Sequence, residues 1–354
     1  MQAQIGESKK GKFLKSEEYN FLFNKENGYF MRWGKKLEDD PFYSPFGPEI
    51  ADIEISTICH GLGTPCDHCY KSNTAVGENM TLETFKTIFA KFPKTLTQIA
   101  FGIGDIDGNP DMWRIFEHCR TNGIIPNVTV NGYNVTTEHI KKLSTLCGAV
   151  AVSRYNPKDV CYDVVEALAA AGMKQTNIHM VTAEENFDDC MELLEDAMTD
   201  SRLNGLNAIV FLGLKPKGKR NKMRPLKDMV KFKQIVDFAL DNNIGIGFDS
   251  CSANKFLNCV DKHPNYKQFE QCVEPCESTL FSCYVNVEGI AFPCSFCEGE
   301  KGFEGINVLE TDSFSGVWNG NEYVSFRESL KNTVGRKCRV CPAFDLDHDK
   351  RIKL

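Results

Sequence analysis

The sequence predicts an α/β fold in which a parallel sheet with crossover helices spans residues 50–250 and a small cysteine-rich region follows. Three observations carry this. From about residue 50, apolar strand-like runs alternate with amphipathic helical stretches several times over. Gly123, Gly148 and Gly172 each follow a helical stretch, where glycine stops a helix. After residue 250 the alternation ends and cysteines become dense.

Taken in order, residues 1–49 are aromatic-rich (Phe21, Phe23, Tyr29, Phe30, Trp33), with turns at Asn27-Gly28 and Gly34, and predict an irregular, hairpin-like segment. Strands are predicted at residues 51–59, 98–105, 126–131, 149–155, 176–181 and 207–214, with a further one at 245–249. Helices are predicted between them at 81–92, 111–122, 136–146, 159–171, 187–201 and 226–242. Six such units form either a doubly wound sheet or a full or partial (β/α) barrel. In both, the working site lies at the carboxyl ends of the strands. Cys59, Asp105, Asn131 and Arg154 all fall at such ends, so separate strands converge on one mouth. Beyond residue 250 helical periodicity fades until 321–330. Residues 251–354 are read as a second domain organised by metal, because so short a stretch gains little from a core of its own.

Composition narrows the class. The chain has 354 residues, 42% hydrophobic and 25% charged, as in an ordinary globular protein. The lysine-rich start has no apolar run long enough for a signal peptide or membrane span, which argues against export and against a membrane partner. Sixteen cysteines in such a chain point to metal in a reducing compartment, the cytoplasm, rather than to disulfides. A net charge of −7 supplies no overall basic field for nucleic acid. The one basic run, residues 215–220, reads as a solvated loop or an anion contact.

The chemistry lies in the cysteines. Cys59, Cys66 and Cys69 end the first apolar run, and thiolates so spaced suit a soft metal centre. Zinc, with His68 as fourth ligand, is the competing reading. Towards the end of the chain, Cys276, Cys294, Cys297, Cys338 and Cys341 form a second group. By spacing alone Cys294/Cys297 and Cys338/Cys341 also make a zinc ribbon.

Cys66-Asp-His-Cys69-Tyr70, after a strand and a further cysteine, resembles the cluster loop of the radical S-adenosylmethionine (SAM) superfamily. The usual spacing there is C-x3-C-x2-C; this chain has C-x6-C-x2-C, and the two glycines and proline of His60-Gly-Leu-Gly-Thr-Pro65 can loop the extra residues out. Phe101-Gly-Ile-Gly-Asp105 is similar to the family's glycine-rich motif, in which Gly102, Gly104 and Asp105 would hold the SAM amino group, Asp standing where Glu is commoner. Asn109-Pro-Asp111 then opens a helix as in the family. Val130-Asn131-Gly132 and Ser153-Arg154 resemble the third and fourth strand endings, where Asn131, Ser153 and Arg154 would reach the ribose and carboxylate of SAM. Residues 211–214, Leu212 among them, would lie beside the adenine.

The C-terminal pattern resembles the SPASM/Twitch auxiliary-cluster domains attached to such enzymes. No cysteine follows Cys341, which favours one auxiliary [4Fe–4S] cluster, bound by Cys276, Cys294, Cys338 and Cys341. Cys283 and Cys297 are the substitutes, and Cys272 a remote one.

The resemblance implies a partial (β/α)6 TIM-like barrel with an auxiliary-cluster domain. It also implies a [4Fe–4S] cluster binding SAM on Cys59, Cys66 and Cys69, and reductive cleavage of SAM to a 5′-deoxyadenosyl radical that abstracts a substrate hydrogen. A peptide or protein side chain is the favoured substrate and a small molecule the alternative. A flavodoxin- or ferredoxin-type reductase would supply electrons. A non-enzymatic iron–sulfur or zinc regulator is the reading from another class. Residues 1–49 look too short and irregular for a leader-peptide-binding domain.

Other residues carry less. Cys119, Cys147, Cys161 and Cys190 read as buried small hydrophobes. Cys251, after a late strand, either packs or faces the mouth as a hydrogen-atom donor. His179 reads as an interior histidine, and Lys215, Lys217 and Lys219 as solvated lysines that can reach a substrate anion.

Overall fold

The structure is a computed structural model and describes residues 2–331 and 341–344. The N-terminal segment is more regular than expected. Strands β1 (Gln4–Glu7), β2 (Gly11–Lys15), β3 (Asn20–Asn24) and β4 (Phe30–Trp33) form a four-stranded antiparallel sheet in chain order. The signal was period-two alternation: Phe21 and Phe23 are buried while Leu22 between them is exposed. Gly28 supplies the left-handed turn, at φ 73°, between β3 and β4.

Seven parallel strands follow, six of them each trailed by a helix: β5 (Ile50–Glu54), α1 (Leu82–Phe89), β6 (Gln98–Gly102), α2 (Met112–Thr121), β7 (Ile125–Val130), α3 (Thr137–Leu146), β8 (Val150–Ser153), α4 (Asp159–Ala170), β9 (Thr176–Thr182), α5 (Phe187–Thr199), β10 (Ala208–Gly213), α6 (Met229–Asp241) and β11 (Ile246–Phe248). Local chemistry sets several helix starts: Thr81 caps α1, Thr136 and His139 make a capping box on α3, and Asp228 caps α6.

Strand order decides between the two architectures. Each strand from β5 to β11 lies beside its sequence neighbour, with no reversal. Right-handed crossovers that always step the same way put every helix on one face, so the sheet curls into a barrel wall rather than a doubly wound layer. No hydrogen bonding joins β11 to β5, so the barrel is partial. Outward residues such as Ile53, Phe101, Val128, Val152, Ile178 and Phe211 are buried under the helices. Inward residues are largely polar: Thr129 on β7 reaches His179 on β9 (3.2 Å) across the small Ala151 of β8, as a concave wall allows.

After β11 the chain forms two short helices where periodicity had predicted none, α7 (Ala253–Cys259) and α8 (Tyr266–Cys272). Seven residues carry less than two turns, too few for a periodic signal. Then come β12 (Ser282–Val285), β13 (Ile290–Phe292), β14 (Ile306–Asn307), α9 (Phe314–Trp318) and α10 (Asn321–Lys331). Strand β12 pairs in parallel with β5, and β13 and β14 add antiparallel, so the barrel's own sheet continues into the cysteine-rich region. The N-terminal sheet packs on this extension: Leu14, Tyr19, Phe21 and Phe23 share a core with Phe281, Phe292 and Phe326. Among the described residues no helix is long and apolar enough to cross a membrane.

Candidate functional site: two cysteine centres at the barrel mouth

Cys59 lies five residues beyond β5, with its amide donating to Thr74 O (2.8 Å). Cys69 donates its amide to Cys66 O (3.4 Å), and Ser72 to Cys69 O (3.0 Å), which closes the loop on itself. The insertion is absorbed by glycine: Gly61 and Gly63 have φ of 65° and 94°, and a Cβ on Gly61 would run into the Thr64 carbonyl. Gly61 N donates to Cys59 Sγ (3.3 Å). All three thiols are half-buried.

Their electrostatics fit a cationic centre. Burial pushes Cys66 up to about 11, and the neighbouring thiolates of Cys59 and Cys69 push it further the same way; a hydrogen bond with Tyr155 opposes this. Burial also raises Cys59. Thiols that repel one another on ionising need a positive ion among them to be held as thiolates. Among the described residues no three His, Cys, Asp or Glu side chains gather tightly enough to ligate a single ion. A cubane makes a different demand, since each of its thiolates takes a different iron.

The structure brings several predicted residues to this loop. Asp105 is buried, and both its oxygens are engaged: Oδ2 accepts from His60 N (2.8 Å) and contacts His60 Nδ1 (2.5 Å), while Oδ1 accepts from Asn131 Nδ2 (2.9 Å). Asn131 also lies 3.4 Å from Gly61 O and 3.8 Å from Cys59 Sγ. Gly104 lets the backbone pass the loop, since a Cβ there would sit 2.5 Å from that of Cys59 and collide with Ile58 O. Gly102 packs likewise on Glu54. Ser153 hydrogen-bonds Tyr155, which in turn bonds Cys66. Leu212 is half-buried on the inner face of β10.

Arg154 does not join them. Strand alternation turns it outward, into hydrogen bonds with Tyr155 O (2.9 Å), Asn156 (2.8 Å) and Glu192 of α5 (2.9 Å). His179 is interior, as expected, and burial lowers it to about 4.

The second centre surrounds a cavity of about 290 Å³. Cys276, Cys294 and Cys341 line it, and so does Cys297; Cys338 lies outside the described residues. Cys283 is buried in the core instead, and Cys272 is exposed on α8. Cys294 is the thiol held low, by hydrogen bonds from Cys297 and from Phe296 N (3.5 Å). Cys251 lines this same cavity, and burial raises it. It therefore sits beside the C-terminal cysteines as well as at a strand end.

Two groups were missed from sequence. Asp52 and Glu54 interrupt the apolar run of β5 at alternate positions, the one signal available. The Asp52 side chain is exposed to the cavity, no hydrogen bond or ion pair among the described residues reaches its carboxyl, and the surrounding protein lifts that carboxyl to about 6 by desolvation. Glu54 pairs with Lys71 (3.1 Å), which also bonds Glu298 and Tyr284 OH (2.8 Å). The expectation of solvated lysines at 215 and 217 is corrected. Lys215 is buried against the Asp249 carboxylate, and Lys217 bonds Phe296 O (3.0 Å), Glu298 O and Glu300 (3.0 Å). Each charge is desolvated only because it is fully partnered.

Comparison with known proteins agrees with this geometry. The family model of the SPASM iron-sulfur cluster-binding domain matches residues 276–342. Streptococcus suis SuiB has a similar structure, with TM-score 0.68 at 12% identity over 91% of this chain and 90% of that one. SuiB bound to precursor peptide SuiA gives 0.70 at 12% over 92% and 90%. The anSMEcpe structure with bound AdoMet and Cp18Cys peptide gives 0.57 at 17% over 83% and 86%. At such identities the likeness is one of fold. No curated protein matches the chain in sequence. Residues 276–342 thus match a SPASM iron–sulfur cluster-binding domain, and the chain as a whole shares the fold of SuiB and anSMEcpe.

Proposed function

We propose that this chain is a radical SAM oxidoreductase that modifies a peptide or protein side chain. The observation that carries the reading is the placement of Cys59, Cys66 and Cys69. They are half-buried at the carboxyl end of the first barrel strand, over a polar lumen, and a SPASM domain adjoins them. These three would hold a [4Fe–4S] cluster, which together with SAM supplies a radical that abstracts hydrogen from a substrate carbon. The barrel wall shields that chemistry from water, and Gly104 and Asn131 shape the mouth. Cys276, Cys294 and Cys341, with Cys338 or Cys297, would hold one auxiliary [4Fe–4S] cluster, an electron acceptor that would make the net change an oxidation.

The peptides named with SuiB and anSMEcpe, whose folds this chain shares, support a peptide substrate here. A flavodoxin- or ferredoxin-type reductase would supply electrons in the cytoplasm, where thiols stay reduced.

The test is anaerobic reconstitution with SAM and dithionite. The protein should release 5′-deoxyadenosine. If it holds full iron but never cleaves SAM, the non-enzymatic iron–sulfur reading replaces this one. A short precursor peptide encoded beside this gene, modified on incubation, would decide for peptide chemistry. Modification of no such peptide, with SAM still cleaved, would favour a small-molecule substrate.

A further inference from the structure

The basic run at residues 215–220 has no part in the chemistry above, and apart from the exposed Pro216 and Lys219 it is not solvated. It leaves the end of β10 and threads between the two cysteine loops. On one side Lys217 Nζ donates to Phe296 O (3.0 Å), Glu298 O and Glu300 Oε1 (3.0 Å), all within six residues of Cys294. On the other, Arg220 donates to Cys66 O (3.4 Å), Ser72 O (3.3 Å) and Asn73 O (2.8 Å), across the loop that carries Cys66 and Cys69. Lys219 N adds a bond to Ser72 Oγ (2.7 Å). Gly218, at φ 104°, lies so close that a Cβ would strike Cys69 O. Lys215 fixes the base of the segment to Asp249 and lies 5.1 Å from the centre of the Phe296 ring.

The two loops also touch directly. Tyr70, next to Cys69, lies against Phe296 (ring centroids 4.6 Å apart) and bonds Ser295, next to Cys294. Lys71 reaches Glu298. Six carbonyl or carboxylate groups thus converge on two cations three residues apart, each cation serving one loop.

We propose that residues 215–220, with Lys71, are a clamp that makes the two cysteine loops one mechanical unit, so that loosening either loop loosens the other. Lys217 and Arg220 are positioning residues, since they touch loop backbone and not the reacting groups. Coupling of this kind is reciprocal. The inference rests on the cluster reading of both cysteine groups, but its test has a readout that does not depend on turnover.

The experiment is hydrogen exchange on the reconstituted protein, comparing wild type with Lys217→Gln. Lys217 makes no hydrogen bond to residues 66–73. The clamp nevertheless predicts that exchange there rises roughly three- to tenfold, the loss of about one hydrogen bond's worth of protection. Helix α3, remote from the clamp, should not change. Cys294→Ala should raise exchange at 66–73 similarly, and combining it with Lys217→Gln should add little more. Lys217→Arg should restore protection. If Lys217→Gln does not fold, Glu300→Gln removes one partner of the same lysine and should show the same pattern more weakly. Loosening confined to residues 294–300, additive effects, or a uniform rise across the barrel would each overturn the clamp. Failure of the cluster reading is distinguishable, because it appears as unchanged iron in the Cys59, Cys66 and Cys69 triple alanine variant.

Discussion

The two cysteine groups are built on opposite principles. The N-terminal trio sits on irregular backbone opened by left-handed glycines, its thiols half-buried, with Asp105 accepting the His60 amide and Asn131 donating to the Gly61 carbonyl. The C-terminal group surrounds a cavity beside regular strands; Cys276, Cys294 and Cys341 are half-buried like the N-terminal thiols, whereas Cys297 is fully buried with the core of Phe281, Phe292 and Phe326 behind it. An open loop leaves room for a cluster to take a ligand. A cavity lined by four thiols suits a cluster that only passes electrons.

The strongest way to break the comparison is to delete the open site. The Cys59, Cys66 and Cys69 triple alanine variant should lose about four of about eight irons and stop forming 5′-deoxyadenosine, with the auxiliary signal retained. A wild-type count near twelve would mean a third cluster. A count near four with tightly bound zinc would make the C-terminal site a zinc ribbon.

The C-terminal site should fail from a distance. Arg32 on β4, with its side chain only 9% exposed, bridges Glu49 (3.0 Å) to Glu277 (2.8 Å), the residue after Cys276. Arg32→Met leaves the Glu49 carboxylate buried without its partner, at about 3 kcal/mol. Thermal melts should fall, and iron should be lost from the auxiliary cluster before the open one. Equal loss from both would remove the distinction.

At the open site, Asp105→Asn should cost on the order of 1.5–3 kcal/mol, roughly ten- to hundredfold in SAM affinity. Because both oxygens of Asp105 already hold His60 and Asn131, cluster iron should fall along with SAM binding. Weaker SAM binding by calorimetry with iron unchanged would instead restore Asp105 as a direct ligand of the SAM ammonium.

The smallest effect is a pH dependence in the lumen between the sites. Burial lowers His179 to about 4, while the unfolded side chain titrates near 6.5. The unfolded chain therefore binds the proton first, and stability falls as pH drops from about 6.5 to 4. At the bottom of that window the loss is on the order of 2–3 kcal/mol. His179→Gln should flatten that part of a stability profile measured by denaturant titration. An unchanged slope would mean that other groups set it.

Much of this was legible in the chain. Ile53, Phe101, Val128 and Phe211 recur with strand spacing between helical stretches, so the sheet, its helices and the strand ends bearing Cys59, Asp105 and Asn131 followed from periodicity. Residues 1–49 read only as an irregular, hairpin-like segment, because aromatic side chains conceal the alternation at Phe21, Leu22 and Phe23 that makes it a four-stranded antiparallel sheet. Arg154 was placed at the mouth because it ends a strand, yet one step along a strand reverses a side chain's face. The lysines at 215 and 217 looked solvated because charge is read locally, whereas their partners, Asp249 and residues 296–300, are distant in sequence.

Sequence alone determined the order of strands and helices and the thiol chemistry, because hydrophobic period and ligand type are local properties of a chain. Tertiary structure alone decided that the sheet curls in one direction, that β12 extends it, and that Cys251 and Cys297 face the C-terminal cavity while Cys283 does not. It also decided that residues 215–220 hold two cysteine loops together. Those are outcomes of long-range pairing and burial, in which a charge or thiol takes its role from partners tens to hundreds of residues away.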